Sequence, residues 1–199
     1  MTASARMDAQ WQDGWWRGAT RIASPNFNAR PADARVDTVV LHSISLPPGR
    51  YGGDEIERLF TNTLDWSAHP YFETIRGLTV AAHFVIRRDG SALQFVSIDD
   101  RAWHAGQSRW DGREGCNDFS IGVELEGLEG ETFEPAQYAT LERLLPAIDA
   151  RRAIRHVVGH EHVAPGRKND PGAGFDWVEL ASRLGWDARR FPPANRPAS

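Results

Sequence analysis

One cysteine, Cys116, stands in 199 residues. No intrachain disulfide can form, so the chain is not a stapled secreted scaffold. No stretch approaches the roughly 20 consecutive apolar residues of a membrane helix. A basic surplus is missing too: 23 Lys and Arg stand against 27 Asp and Glu, a net charge of −4. That argues against a generic binder of nucleic-acid backbone. The opening MTASARMDAQWQDGWW contains no signal-peptide core, because Asp8, Gln10 and Gln12 interrupt every apolar run. The expectation is a cytoplasmic protein with no membrane and no nucleic-acid partner. The chain also lacks an H-E-x-x-H helix, a partner cysteine for Cys116 and any internal repeat.

What is present is ordinary in bulk. Hydrophobic residues make up 41% and charged residues 25%, close to globular averages. The length suits one domain with a small extension. Such a chain can bury a core without metal or disulfide staples, so a metal here would serve chemistry. Eight tryptophans and seven histidines are the unusual counts.

Residues 1–35 show no sustained period and read as an N-terminal extension packed on the domain, with Trp11, Trp15 and Trp16 as anchors. Pro25 and Pro31 disfavour helix there. The segment from Val36 to Leu41 reads as a buried strand ending at His42. Gly53 to Phe60 reads as a short amphipathic helix with Asp54 as its N-cap. A strand carrying His83 is expected over Val80–Arg87. The Asp89-Gly90 turn then leads to a returning strand at Leu93–Val96. Ser120 to Glu126 alternates, placing Glu124 and Glu126 on one face. Pro135 opens a helix whose stripe is Tyr138, Leu141, Leu145 and Ile148, with a kink or restart expected at Pro146. A strand at Arg155–Gly159 ends at His160, and a helix closes the domain at Asp176–Leu184. The expected class is α/β, a mixed central sheet flanked by helices. Residues 36–187 form the expected catalytic domain, and 188–199 a frayed tail.

Three polar residues fall at or beyond predicted strand ends: His42 after VDTVVL, His160 after RHVVG, and Asp170 ten residues later on APGRKNDPG. Two neutral imidazoles and a carboxylate suit Zn²⁺ and leave a fourth tetrahedral position for water. Strand termini hold such ligands rigidly. Spacing alone leaves open both a metal site and three unrelated polar residues.

Six segments, VVLHSISLPPGRYGG, AHPYF, AAHFVIRRDG, RAWHAG, CNDFSIGVELEG and VVGHEHVAPGRKNDPGAGFDW, occur in order. They resemble the type 2 N-acetylmuramoyl-L-alanine amidases, in particular the bacterial cytosolic branch that cleaves 1,6-anhydro-N-acetylmuramyl-L-alanine in peptidoglycan recycling. The resemblance runs from about Gly14 to Trp177. It implies the fold of amidases and peptidoglycan-recognition proteins, a muropeptide substrate, and Zn²⁺ on His42, His160 and Asp170. It also implies catalysis by Glu124 as general base and Lys168 as oxyanion stabiliser.

Each residue has a plainer reading beside it. His42 would cap a strand, Asp170 would serve an Asp-Pro turn, Glu124 would face solvent, and Lys168 would be a surface cation beside Arg167. His162 rivals His160, and Glu126, which reads as structural, rivals Glu124. His83 reads as a buried hydrogen-bonded histidine, His104 as a cleft residue, His69 and His156 as structural, and Cys116 as a packed thiol. Trp103 and Trp110 are candidates for stacking on a sugar. Gly115 and Thr79 stand where the resembled branch often carries carboxylate-binding arginines, with Arg113, Arg76 and Arg109 as candidate substitutes. The rival functions are an amidase acting on intact cell-wall peptidoglycan and a non-catalytic peptidoglycan-binding module. A monomer is favoured.

Overall fold

A computed structural model describes residues 10–192. Residues 1–9, the start of the stretch read for a leader, and 193–199, most of the tail expected to fray, lie outside the described residues. Six strands make one mixed sheet: β1 Thr20–Arg21, β2 Thr38–Ile44, β3 Phe84–Ile86, β4 Ala92–Gln94, β5 Ser120–Glu126 and β6 His156–Gly159. Their spatial order is β6-β2-β5-β3-β4-β1. Every neighbouring pair is parallel except β3 with β4. That pair is the expected hairpin. The Asp89 carboxylate accepts from the N–H and hydroxyl of Ser91 at 2.8 and 2.7 Å, and Gly90 takes the left-handed φ of 84° that suits glycine.

Among the described residues five α-helices accompany the sheet: α1 Glu55–Phe60, α2 Pro70–Thr74, α3 Pro135–Arg152, α4 His160–Val163 and α5 Trp177–Leu184. The central strands are parallel and covered on both faces, which is why β2 reads as the nearly continuous apolar run Val39-Val40-Leu41. On one face Leu41, Ile121, Val123 and Val157 pack with Leu141, Leu145 and Ile148 of α3 and Leu180 of α5. Val40 and Val158 turn to the opposite face with Ala105, Cys116 and Phe119. By the two-residue period, His42 and Glu124 share that second face. The long helices thus build the core on one side and leave the other for chemistry.

Three elements differ from the sequence reading. β2 does not end at His42 but runs on to Ile44, because β5 continues the ladder through Glu124↔His42, Leu125↔Ser43 and Glu126↔Ile44. A neighbouring strand supplies the pairing that a polar His-Ser step does not advertise. β3 is only three residues long, not Val80–Arg87, and His83 precedes it. Around it the backbone bonds are irregular: Ala81 N–H donates to Trp103 O, and His83 N–H to Gly122 O. Helix α3 runs unbroken through Pro146. A proline in a helix interior costs about 3 kcal/mol, whereas each fully buried leucine or isoleucine returns about 1.5–3 kcal/mol. Leu141, Leu144, Leu145 and Ile148 are all fully buried, so packing outweighs the lost hydrogen bond.

The stretch before Val36 contributes more than a wrap. β1 adds an edge strand beside β4, and Trp11 and Trp16 are buried in the main core. The Trp15 ring lies 3.9 Å from the Arg21 guanidinium. Arg30 reaches under β5 and donates to the carbonyls of Asn117, Asp118 and Ser120 at 2.9–3.0 Å. Among the described residues, no helix is long and apolar enough to cross a membrane.

Candidate metal centre and active site

Three separate elements bring His42, His160 and Asp170 together. His42 lies within β2, one residue past the Val39-Val40-Leu41 run. His160 follows Gly159, where β6 gives way to α4. Asp170 sits on the following loop, which is pinned to α4 because Asp170 O accepts from Glu161 N–H at 2.9 Å. Nδ1 of His42 and Nδ1 of His160 are 2.9 Å apart, and they lie 3.2 and 3.1 Å from Asp170 Oδ2. Ligand atoms around a tetrahedral ion with bonds near 2.0–2.1 Å would be about 3.3 Å apart. The observed triangle is within a few tenths of an ångström of that.

The donor chemistry also fits a cation. His160 Nε2 is 3.1 Å from Ala105 O. A carbonyl only accepts, so the ring proton is on Nε2 and Nδ1 presents a lone pair. That lone pair faces a carboxylate oxygen. Burial, then the neighbouring His160, lower His42 to a pKa of about 4 against the opposing effect of Asp170, which keeps it neutral at physiological pH. Two imidazole nitrogens and a carboxylate oxygen converging on one point are a set able to hold a divalent metal.

A cleft of about 820 Å³ opens over this triangle and is also lined by Glu124, Lys168 and Trp103. Glu124 sits beside His42 on the neighbouring strand. Burial, then the charge of Asp170, push its pKa well above the ordinary glutamate value, with Lys168 opposing. Its Oε2 is buried and finds no hydrogen-bond partner among the described residues, so an acceptor points into the cleft uncommitted. Lys168 is on the Asp170 loop, and its N–H donates to Ala164 O. Its neighbour Arg167 also lines the cleft, but it donates to Ala105 O and Gln107 O, both at 2.6 Å, and so ties two loops together.

The rivals separate cleanly. His162 Nδ1 accepts from Gly159 N–H at 2.9 Å, and its ring packs edge-on against Trp177, away from the triangle. Glu126 is buried and receives Arg87 Nη1 and the Gly52 N–H at 2.8 and 2.7 Å, a structural role. His83 is fully buried: its Nδ1 accepts from Gly122 N–H, and its Nε2 is 3.1 Å from Asp100 O. His69 caps α2, and His156 lies against Trp110. Cys116 is a buried free thiol. His104 lines the cleft, as does Trp103, whereas Trp110 does not.

None of the three candidate arginines lines the cleft. Arg113 pairs with Asp37 and covers Phe119, Arg76 pairs with Glu73, and Arg109 lies in a short exposed ladder with Glu114. Gly115 takes a left-handed φ of 70°, which a side chain there would strain. Thr79 does line the cleft. The sequence reading passed over Asn117 and Gly122. Asn117 Oδ1 accepts the N–H groups of both His104 and Ala105, and Gly122 makes room for the His104 ring. An asparagine just before a strand and a glycine within one were the only signals available.

A mixed sheet with its two longest helices on one face, and a His-His-Asp triangle with a free carboxylate on the other, fits the class of hydrolases built around a metal site. The N-acetylmuramoyl-L-alanine amidase family profile matches residues 32–173. The 1,6-anhydro-N-acetylmuramyl-L-alanine amidase AmpD of Escherichia coli K12 is 50% identical over 171 residues, covering 85% of this chain and 93% of the relative. A selenomethionine crystal structure of AmpD superposes with a TM-score of 0.85 at 48% identity, covering 87% of this chain and 98% of that one. The amidase AmiD of E. coli, solved with anhydro-N-acetylmuramic acid-L-Ala-D-γ-Glu-L-Lys, gives a TM-score of 0.57 at 29% identity, with coverage of 78% and 60%. The chain belongs to the N-acetylmuramoyl-L-alanine amidase family.

Proposed function

We propose that this chain is a zinc-dependent amidase. It hydrolyses the amide between (1,6-anhydro-)N-acetylmuramic acid and the first L-alanine of the stem peptide, in cytoplasmic muropeptide recycling. The observation that carries this reading is the convergence of three metal-competent donor atoms with an uncommitted carboxylate and a lysine in one cleft. Relatives of 44–50% identity that carry the anhydro-muramyl amidase name support the substrate class.

His42, His160 and Asp170 would hold the ion, and zinc bound there would supply a Lewis acid for water and for the carbonyl. Glu124 takes a proton from the attacking water and passes it to the leaving amine nitrogen of L-alanine. Its raised pKa suits a group that must both accept and return a proton. The Lys168 ammonium stabilises the negative charge that develops on the scissile carbonyl oxygen. Residues 36–187 form the catalytic unit, with the extension 1–35 before it and 188–199 after it; of the latter, Ala188–Arg190 makes a short 3₁₀ turn and Phe191 is buried in the main core, so the expected fraying does not begin at 188. The active species is a monomer. The cytoplasmic assignment follows the recycling branch that the chain resembles.

The test is mass spectrometry of products from a defined anhydro-muropeptide, with and without chelator. Release of the intact stem peptide and free anhydro-sugar, abolished by chelation and restored by zinc, is the expected result. Stoichiometric binding with neither zinc nor cleavage would make the chain a binding module. Faster release from intact sacculi than from soluble muropeptide would move it to cell-wall lysis.

A further inference from the structure

We infer that His104 is a positioning residue that fixes which ring nitrogen of His42 offers its lone pair to the metal. The inference rests on the reading of His42 as a ligand. Cys116 O only accepts, and Ser120 Oγ lies 2.5 Å from it, so the serine proton is committed there. Toward His104 Nε2, 3.3 Å away, Ser120 Oγ is therefore the acceptor and the ring nitrogen the donor. With the ring proton placed on Nε2 by this contact, the Nδ1 of His104 is bare. That bare nitrogen is 2.9 Å from His42 Nε2, which must donate. The remaining nitrogen of His42, Nδ1, then carries the lone pair that faces Asp170 and His160.

The surroundings hold the His104 ring in this pose. The N–H groups of His104 and Ala105 both donate to Asn117 Oδ1 at 3.2 and 2.8 Å. His83 lies behind the ring, with centroids 5.8 Å apart. Gly122 lies against the ring so closely that a Cβ there would fall 2.5 Å from Cγ of His104. Two adjacent residues thus set both imidazoles of the triangle: the His104 side chain sets His42, and the Ala105 carbonyl sets His160. Partners of metal-binding histidines typically change metal affinity by about 10–100-fold when removed.

The test uses the full chain. Long-range ¹H–¹⁵N NMR of the metal-free protein at neutral pH reads the histidine tautomers, and chelator competition reads the zinc affinity. Wild type should show His42 protonated on Nε2. His104→Phe keeps a ring but no acceptor. It should shift His42 toward the other tautomer and weaken zinc binding about 10–100-fold. His104→Asn, whose amide oxygen can accept from His42, should restore most of both. Ser120→Ala leaves the His104 ring in place and should shift the His42 tautomer in the same sense, which keeps the test decisive if His104→Phe folds poorly. A wild-type His42 protonated on Nδ1, or a His104→Phe variant with unchanged tautomer and zinc affinity, overturns the inference. If no variant, wild type included, takes up zinc, the ligand reading fails, and the tautomer spectra alone still decide the role of His104.

Discussion

Replacing Gly122 by alanine is a small change with a calculable result. Gly122 has an ordinary strand conformation, so alanine meets no backbone strain, and on chain entropy alone it would favour the fold by about 0.5–1 kcal/mol. The space decides otherwise. A Cβ at 122 would come within 2.5 Å of His104 Cγ, 2.6 Å of Nδ1 and 2.8 Å of Cδ2. The strand cannot retreat, because Gly122 N–H donates to His83 Nδ1 and Gly122 O accepts from His83 N–H, each at 3.0 Å. The imidazole must therefore swing, breaking its 2.9 Å contact with His42. Overpacking of this kind costs about 1–3 kcal/mol, which exceeds the entropic gain. At about 2–4 °C per kcal/mol for a chain of this size, Gly122→Ala should melt several degrees below wild type. Differential scanning fluorimetry measures this directly, and chelator competition on the same samples should show weaker zinc binding. A variant as stable as wild type with unchanged zinc affinity would mean that the glycine does not wedge His104, and the reasoning would fail.

The remaining predictions address the site and the buried histidines. Glu124→Ala should retain stoichiometric zinc yet lose about 10²–10⁴-fold in turnover; near-normal kcat would contradict its role as general base. Asp170→Ala should lose zinc and activity together, because it removes the only anionic ligand; wild-type zinc content by metal analysis would remove Asp170 from the ligand set. Acid should destabilise the fold through His83. Burial, then the charge of Arg30, holds its folded pKa well below the ordinary 6.5. The neutral ring is therefore favoured in the fold. Its contribution is fully present above about pH 6.5 and is lost as pH falls, at about 1.4 kcal/mol per pH unit. Urea unfolding at pH 7, 6 and 5 should show this slope in wild type, and His83→Gln should be shallower by that amount; equal slopes would refute it.

Much of the architecture was legible because periodicity is local. The alternation of Ser120–Glu126, the apolar run before His42, the Asp89-Gly90 turn and the Pro135 start all specify their elements through near neighbours. The places where the reading slipped depend on distant partners. The extension of β2 past His42 needs β5 beside it, and the continuity of α3 through Pro146 needs the sheet beneath its leucines. The edge strand β1 arises because β4 offers an open side. Arg30 was invisible as an anchor because its acceptors are backbone carbonyls nearly 90 residues away.

By itself the sequence determined the type of sheet, the family resemblance, and the short roster from which any metal site had to be drawn. Residue identity sets chemical capacity, and a lone cysteine with no basic surplus leaves few alternatives. Only the tertiary structure decided that His160 rather than His162 turns to the triangle, that Glu126 is tied to Arg87 while Glu124 stays uncommitted, and that no candidate arginine reaches the cleft. It also decided where the protons sit. Each imidazole has two nitrogens of nearly equal basicity, and the choice between them follows from acceptors 55 and 62 residues away, which no local pattern of sequence encodes.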